Sequence, residues 1–143
     1  MFVKQVSVFI ENKKGRLAAL TKLLSDNNID LIALSIADTT NFGILRCIVN
    51  DTAAALDALR AAGFTASTTD VLAVEVPDKP GGLAEVLSII DKADISVEYL
   101  YSFVRTQNDN ALIIFRMEDT RGALEVLKKS GVTMLSQEQV VAL

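Results

Sequence analysis

Apolar and polar positions alternate along residues 3–10, with Val6, Val8 and Ile10 on one side, which is the period of a strand with one buried face. From about residue 15 to 27 the period turns helical, and Leu17, Leu20 and Leu24 form one stripe. Residues 29–38 and 43–49 are rich in apolar and β-branched side chains and predict two strands joined by a turn. Asp51 offers an N-cap to a second helix, which ends with Arg60 in its last turn and Gly63 just beyond it. A strand at 64–69 completes the order βαββαβ.

The same order then recurs. Asn12-Lys13-Lys14-Gly15-Arg16-Leu17 aligns with Asp78-Lys79-Pro80-Gly81-Gly82-Leu83, and the offset from Gly15 to Gly81 holds for the positions around them. Leu72, Val74 and Val76 repeat the first strand over 71–77. Leu83, Val86, Leu87 and Ile90 repeat the helical stripe over 81–93. Strands at 95–105 and 111–117 follow, then a helix capped by Asp119 and closed by Lys128 and Lys129 before Gly131, then a strand at 132–136. From Asp51 and Asp119 onward the offset is longer by two, and the extra residues fit a longer turn around Thr106 to Asn110. The tail Gln137 to Leu143 parallels 69–75 and reads as one further strand. The fold class is α+β: two tandem ferredoxin-like βαββαβ modules, residues 1–69 and 70–143, the second with an extra C-terminal strand. Each has an antiparallel sheet with its helices on one face.

Such a sheet keeps a bare face, which should alternate to polar. Here it does not. If Ile29, Leu31, Ile95 and Val97 face the helices, Ile32, Leu34 and Leu100 face away, as do Ile44, Ile48, Leu112 and Ile114 on the third strands. Tyr99, Tyr101 and Phe103 share the phase of Val97, which leaves the second copy ambiguous. Contiguous apolar surface marks an interface. The two copies can cover one another within one chain, or a second chain can cover both in a homodimer; the homodimer is the reading adopted.

Composition narrows the chemistry. Over 143 residues, 50% are hydrophobic and 22% charged, which fits an ordered globular chain. There is no histidine, the commonest general base and metal ligand, and Cys47 is alone. A net charge of −4 and a pI near 4.8 disfavour nucleic acid and anionic membrane as partners. No basic start, long apolar stretch or cleavage site opens the chain, so a cytoplasmic protein is expected.

The glycine loops carry the candidate site. A glycine between strand and helix lets a ligand approach the backbone, and the helix N-terminus favours an anion such as an α-carboxylate. Backbone carbonyls, or a carboxylate such as Asp30 or Glu98, could accept an α-ammonium. The two loops, with DKPGGLAEVLSIIDKADISVEYLYS as the clearest stretch, resemble the ACT-domain family of small-molecule regulatory modules. The tandem layout is similar to stand-alone double-ACT amino-acid-binding proteins over essentially the whole chain. The resemblance implies that an amino acid binds between paired modules, against this loop and the start of the neighbour's second strand. The matching positions are Asn12, Lys13, Lys14, Gly15, Arg16 and Leu17 with Asp30, Leu31 and Ile32. In the second copy they are Asp78, Lys79, Pro80, Gly81, Gly82 and Leu83 with Ser96, Val97 and Glu98. Lys14 stands where a proline is usual, so the first loop is the more basic and the two sites should differ.

Other constellations carry less. The alternating aromatics lack the basic stripe of an RNA-binding sheet, so packing is their expected role. Asp38, Thr39, Thr40, Asn41, Arg105, Gln107, Asp109 and Glu118 sit at turns and helix starts, where backbone chemistry places such residues. No nucleophile, phosphate-loop or metal motif is present, so the expectation is a non-enzyme with no cofactor and no metal. Two readings remain: an amino-acid sensor or regulatory subunit, which could act on a partner enzyme, and a ligand-free interaction module that docks on one.

Overall fold

A computed structural model of the chain describes residues 1–38, 40–103 and 109–143. Thr39, Arg105, Gln107 and most of the expected longer turn at 106–110 lie outside the described residues. The elements are β1 (Val3–Glu11), α1 (Arg16–Asp26), β2 (Leu31–Asp38), β3 (Phe42–Val49), α2 (Thr52–Ala61), β4 (Thr65–Pro77), α3 (Gly82–Lys92), β5 (Val97–Ser102), β6 (Asn110–Met117), α4 (Thr120–Lys129), β7 (Met134–Leu135) and α5 (Gln137–Val141). They form two compact units, one of Lys4–Thr69 and one of Asp70–Leu143 together with Met1–Val3. Phe2 belongs with the second because it packs on that unit's core. Each unit is a βαββαβ ferredoxin-like module. The strand order is β2-β3-β1-β4 in the first and β5-β6-β4-β7 in the second, with antiparallel pairing throughout the β1·β3, β2·β3, β4·β6, β5·β6 and β4·β7 contacts.

Each core is the helix-side face of its sheet. In the first module Val6, Val8, Ile10, Leu45, Cys47 and Val49 pack with Leu20 and Leu24 of α1 and Ala55 and Leu59 of α2. In the second, Leu72, Val74, Val76, Ile113, Phe115 and Met117 pack with Val86 and Ile90 of α3 and Leu124 and Leu127 of α4. Fully burying one such side chain contributes about 1.5–3 kcal/mol, so these clusters dominate stability. Asp51 accepts a hydrogen bond from the Ala54 amide at 3.0 Å and Asp119 from the Gly122 amide at 2.9 Å, the expected N-caps.

The expected phase of the second strands is overturned by a bulge. The register on β3 shifts between Leu31 and Ala33, so Leu34 lies opposite Cys47 and Ile36 opposite Leu45. Directly opposed residues share a face, which puts Leu34 on the helix side. The same shift between Val97 and Tyr99 puts Leu100 opposite Phe115, on the helix side, and turns Tyr99 and Tyr101 to the other face. Leu34, Ile36 and Leu100 are nonetheless 43%, 45% and 37% exposed, because β2 and β5 are the outermost strands. Tyr101 and Phe103 are buried.

The tail is also corrected. The expected C-terminal strand is the short helix α5, and the apolar run at its end anchors through Val140, which is fully buried. Ser136 explains it: its hydroxyl accepts from the Gln139 amide at 3.3 Å while its own amide donates to Gln139 Oε1 at 2.8 Å, a capping box. The strands expected at 64–69 and 71–77 are one strand, β4, divided between the two units after Thr69.

Replacing Asp119 by alanine removes the α4 cap and should cost about 1 kcal/mol, measured as a lowered denaturation midpoint at unchanged m-value. Burial pushes the Cys47 thiol from 9.0 up to about 12. Its folded value lies above its unfolded one, so the stabilisation holds below pH 9.0 and is lost as the pH rises above that. A thiol reagent at neutral pH should label Cys47 only in denaturant; rapid labelling of the native protein would contradict the burial.

Candidate functional site

The two glycine loops fold as one motif. In the first, the Lys13 amide donates to the Glu11 carbonyl at 2.8 Å and the Arg16 amide to the Lys13 carbonyl at 3.3 Å. In the second, Lys79 donates to Pro77 at 2.9 Å and Gly82 to Lys79 at 3.0 Å, the same bonds at the equivalent positions of the repeat. Between them Gly15 and Gly81 adopt left-handed backbone, φ 87° and 90°. A Cβ at either would meet no atom within 4 Å, so glycine is required there for its conformation and not for space. At Gly82 the reverse holds, since a Cβ would run into the Pro77 carbonyl oxygen.

The helices behind these loops differ from the others at their first turns. α2, α4 and α5 are each closed by a side chain, from Asp51, Asp119 and Ser136. No side chain caps α1 or α3. Beyond the Arg16 and Gly82 amides, which donate to the Lys13 and Lys79 carbonyls, their first-turn amides have no side-chain acceptor among the described residues, at the positive end of the helix dipole. An anion there would supply the missing acceptor.

The basic first loop is partly committed. Lys13 pairs with Glu11 at 2.9 Å, and this hydrogen bond, with the charge of Lys13, holds the Glu11 carboxyl below the usual range. The Arg16 guanidinium lies over the Phe64 ring, 4.8 Å from its centroid, and its Nε is buried without a hydrogen-bond partner. Lys14 is exposed and makes no ion pair among the described residues. Beside the loop a cavity of about 130 Å³ is lined by Asn12, Lys13 and Leu17 together with Ile36 and Asp38 of β2. Leu17, expected in the α1 core stripe, is 42% exposed because it sits at this cavity.

The second half of the expected site stands elsewhere. Glu11 lies opposite Phe42, whereas Leu31 lies opposite Val49. The length of β3 separates the two ends, about 23 Å at strand rise. The second module repeats this, with Pro77 opposite Asn110 and Val97 opposite Met117. Asp30 and Leu31 line a groove of about 470 Å³ at the other end of their module, with Asn28 and Asn50. Ser96 and Val97 line the equivalent groove of about 370 Å³, with Asp91 and Asp94. Asn28 and Asp94 both take left-handed backbone, φ 58° and 56°, as Asn and Asp can with little penalty. The Asp30 amide donates to Asn50 Oδ1 at 2.9 Å.

Among the expected site residues, Asn12 to Leu17 come together at one loop and Asp78 to Leu83 at the other, and neither loop meets the second-strand residues of its own module. Ile32 is buried at the bulge, with 3% exposure. The Glu98 carboxylate is paired with Arg116 at 3.2 Å, and that arginine also donates to Thr120 Oγ1 at 2.9 Å and to the Asp70 carbonyl at 3.2 Å. Asp38, read from sequence as a turn residue, rims the first cavity; Asn28, Asn50, Asp91 and Asp94 were not singled out. The internal repeat could have found Asn28 with Asp94, since both stand just past a helix end. Among the described residues no three His, Cys, Asp or Glu side chains cluster so as to hold a metal, and no helix is long and apolar enough to cross a membrane.

The comparisons with known proteins bear on the family and the fold. No curated protein matches the sequence. Among solved structures, the protein BT0572 from Bacteroides thetaiotaomicron is 40% identical, with 100% of this chain and 98% of that one covered and a TM-score of 0.92. The regulatory subunit of aspartate kinase from Thermus thermophilus, in its ligand-free form, is 16% identical over 89% of this chain and 91% of that one, with a TM-score of 0.61. The aspartate kinase from Synechocystis is 17% identical over 95% of this chain and 28% of that one, with a TM-score of 0.57. The two kinase likenesses are likenesses of fold. A family model described as an ACT domain pair matches residues 1–143, and the chain belongs to the ACT domain family as such a pair.

Proposed function

We propose that the protein is a non-catalytic regulator that binds a free amino acid between paired modules. The observation that carries this reading is the division of each module into two complementary ends. One end has an uncapped helix behind a left-handed glycine, suited to an α-carboxylate. The other has a groove edged with Asn28 and Asp30, or with Asp91 and Asp94, suited to an α-ammonium. About 23 Å apart within one module, the two ends are too distant for a single amino acid to bridge. A complete site therefore needs the loop of one module against the groove of another in reversed orientation.

The relatives support the same role. The Thermus structure is named as a regulatory subunit of an enzyme, which fits a chain that acts on a partner. Binding across a module boundary stabilises one arrangement over others, and a partner enzyme reads the arrangement. A homodimer supplies further modules for such pairing, and the half-exposed Leu34 and Ile36 on the outer strand β2 suit that contact. A lone free cysteine fits a reducing cytoplasm.

The test is a thermal-shift screen of the dialysed protein against the common amino acids, each beside its N-acetyl derivative. At about 100 times its Kd a true ligand adds about 2.7 kcal/mol, a rise of roughly 5–10 °C for a chain of this size. The acetylated form, which lacks the ammonium, should give no rise. A flat screen would favour the ligand-free docking module instead, and equal shifts from both forms would remove the groove from the site. Sedimentation with and without the ligand should show a change in assembly.

A further inference from the structure

The second module holds a cavity that the glycine-loop reading does not use. It has a volume of about 290 Å³ and lies between α3 and the turn after α4. Its walls are apolar at Val86, Ile89 and Val132, and the carboxylates Glu75 and Glu85 lie along it. Neither side chain has a hydrogen bond or ion pair among the described residues.

The first module shows what chemistry suits this place. Through the repeat, Gly82 stands where Arg16 stands in the first copy, and Val132 where Phe64 stands. In the first module the Arg16 guanidinium covers the Phe64 ring, its Nε buried and unpartnered. The second module lacks both groups: Gly82 has no side chain, and valine replaces the ring. The Pro77 carbonyl, into which a Cβ at position 82 would run, belongs to a residue lining the same cavity. The substitutions also add charge, since Glu85 replaces Ala19 and Glu75 replaces Phe9. The second module thus has a cavity beside Val132 where the first has the Arg16 guanidinium over Phe64, with the Pro77 carbonyl in the place of a Cβ at Gly82. It adds carboxylates where the first has Phe9 and Ala19.

We propose that this cavity binds a small molecule carrying a guanidinium on an aliphatic stem. The stem lies along Val86, Ile89 and Val132, and the planar cation takes the carboxylate of Glu85 with Glu75 beside it. The site is separate from the one proposed at the glycine loops and does not depend on it.

Amide chemical shifts of the full chain, followed as agmatine is added, test the assignment. Saturable shifts centred on Val86, Ile89 and Val132 are expected, with putrescine, which has the same charge and stem but lacks the planar fork, binding more weakly. Glu85→Gln, on the exposed first turn of α3, should weaken agmatine about tenfold, as the loss of one charged hydrogen bond does. Val132→Phe restores the sister module's ring and should abolish binding; should that variant fail to fold, Glu85→Gln decides alone. Absence of saturable shifts, or agmatine binding unchanged in Glu85→Gln, overturns the proposal. Tighter binding of acetyl-arginine amide than of agmatine overturns the small-molecule assignment in favour of an arginine on a partner protein.

Discussion

Everything in each module depends on one tight reversal of the chain, the left-handed glycine between its first strand and first helix. The reversal carries the helix back across the sheet it has just left, so that Leu20 and Leu24, or Val86 and Ile90, land on the strands beneath. It also fixes what cannot be there. A residue at φ near 90° is glycine for steric reasons, so the position before the helix offers no side chain to cap it. The conformation that allows the fold thus leaves an anion-ready helix end as its by-product.

Once that reversal is set, antiparallel pairing dictates where chemistry can gather. β1 ends at the glycine loop, α1 returns to the opposite end, and β2 begins there. The loop and the start of the second strand are then forced about a strand length apart. No side-chain substitution could bring them together within one module. Duplication answers this constraint in the proposed reading, because each loop then has a groove outside its own module with which to complete a site.

The repeat made most of this legible from sequence. Gly15 and Gly81, each framed by the same strand and helix periods, reveal the βαββαβ order without any coordinate. Legibility ended where one residue changes a phase. The bulges at Ile32 and Glu98 turn Leu34 and Leu100 to the helix side, and alternation alone cannot show an inserted residue because both phases there are apolar. The tail misled for a related reason. Val140, Val141 and Leu143 look like a strand, yet Ser136 and Gln139 already spelled a capping box, and local hydrogen bonding prevailed over hydrophobic pattern. The carboxylate of Glu98 looked available in sequence because its partner, Arg116, lies on a different strand.

Divergence between the copies is informative because their glycine loops agree. Both loops make the same hydrogen bonds with glycine in the same conformation, yet the Pro77 carbonyl stands where a Cβ would at Gly82, so that position differs from Arg16 by backbone as well as by side chain. Arg16 over Phe64 costs the first module a buried Nε without an acceptor, a cost of about 1–3 kcal/mol that an aliphatic residue would avoid. The second module, with Gly82 and Val132 at these positions, escapes that cost, and Val132 lines a cavity. Glu85 gains from the helix dipole on the exposed first turn of α3, but neither it nor Glu75 has an ion-pair partner among the described residues. Carboxylates around an unfilled apolar slot make physical sense when a cation enters it, and the sister module shows the shape of cation that fits.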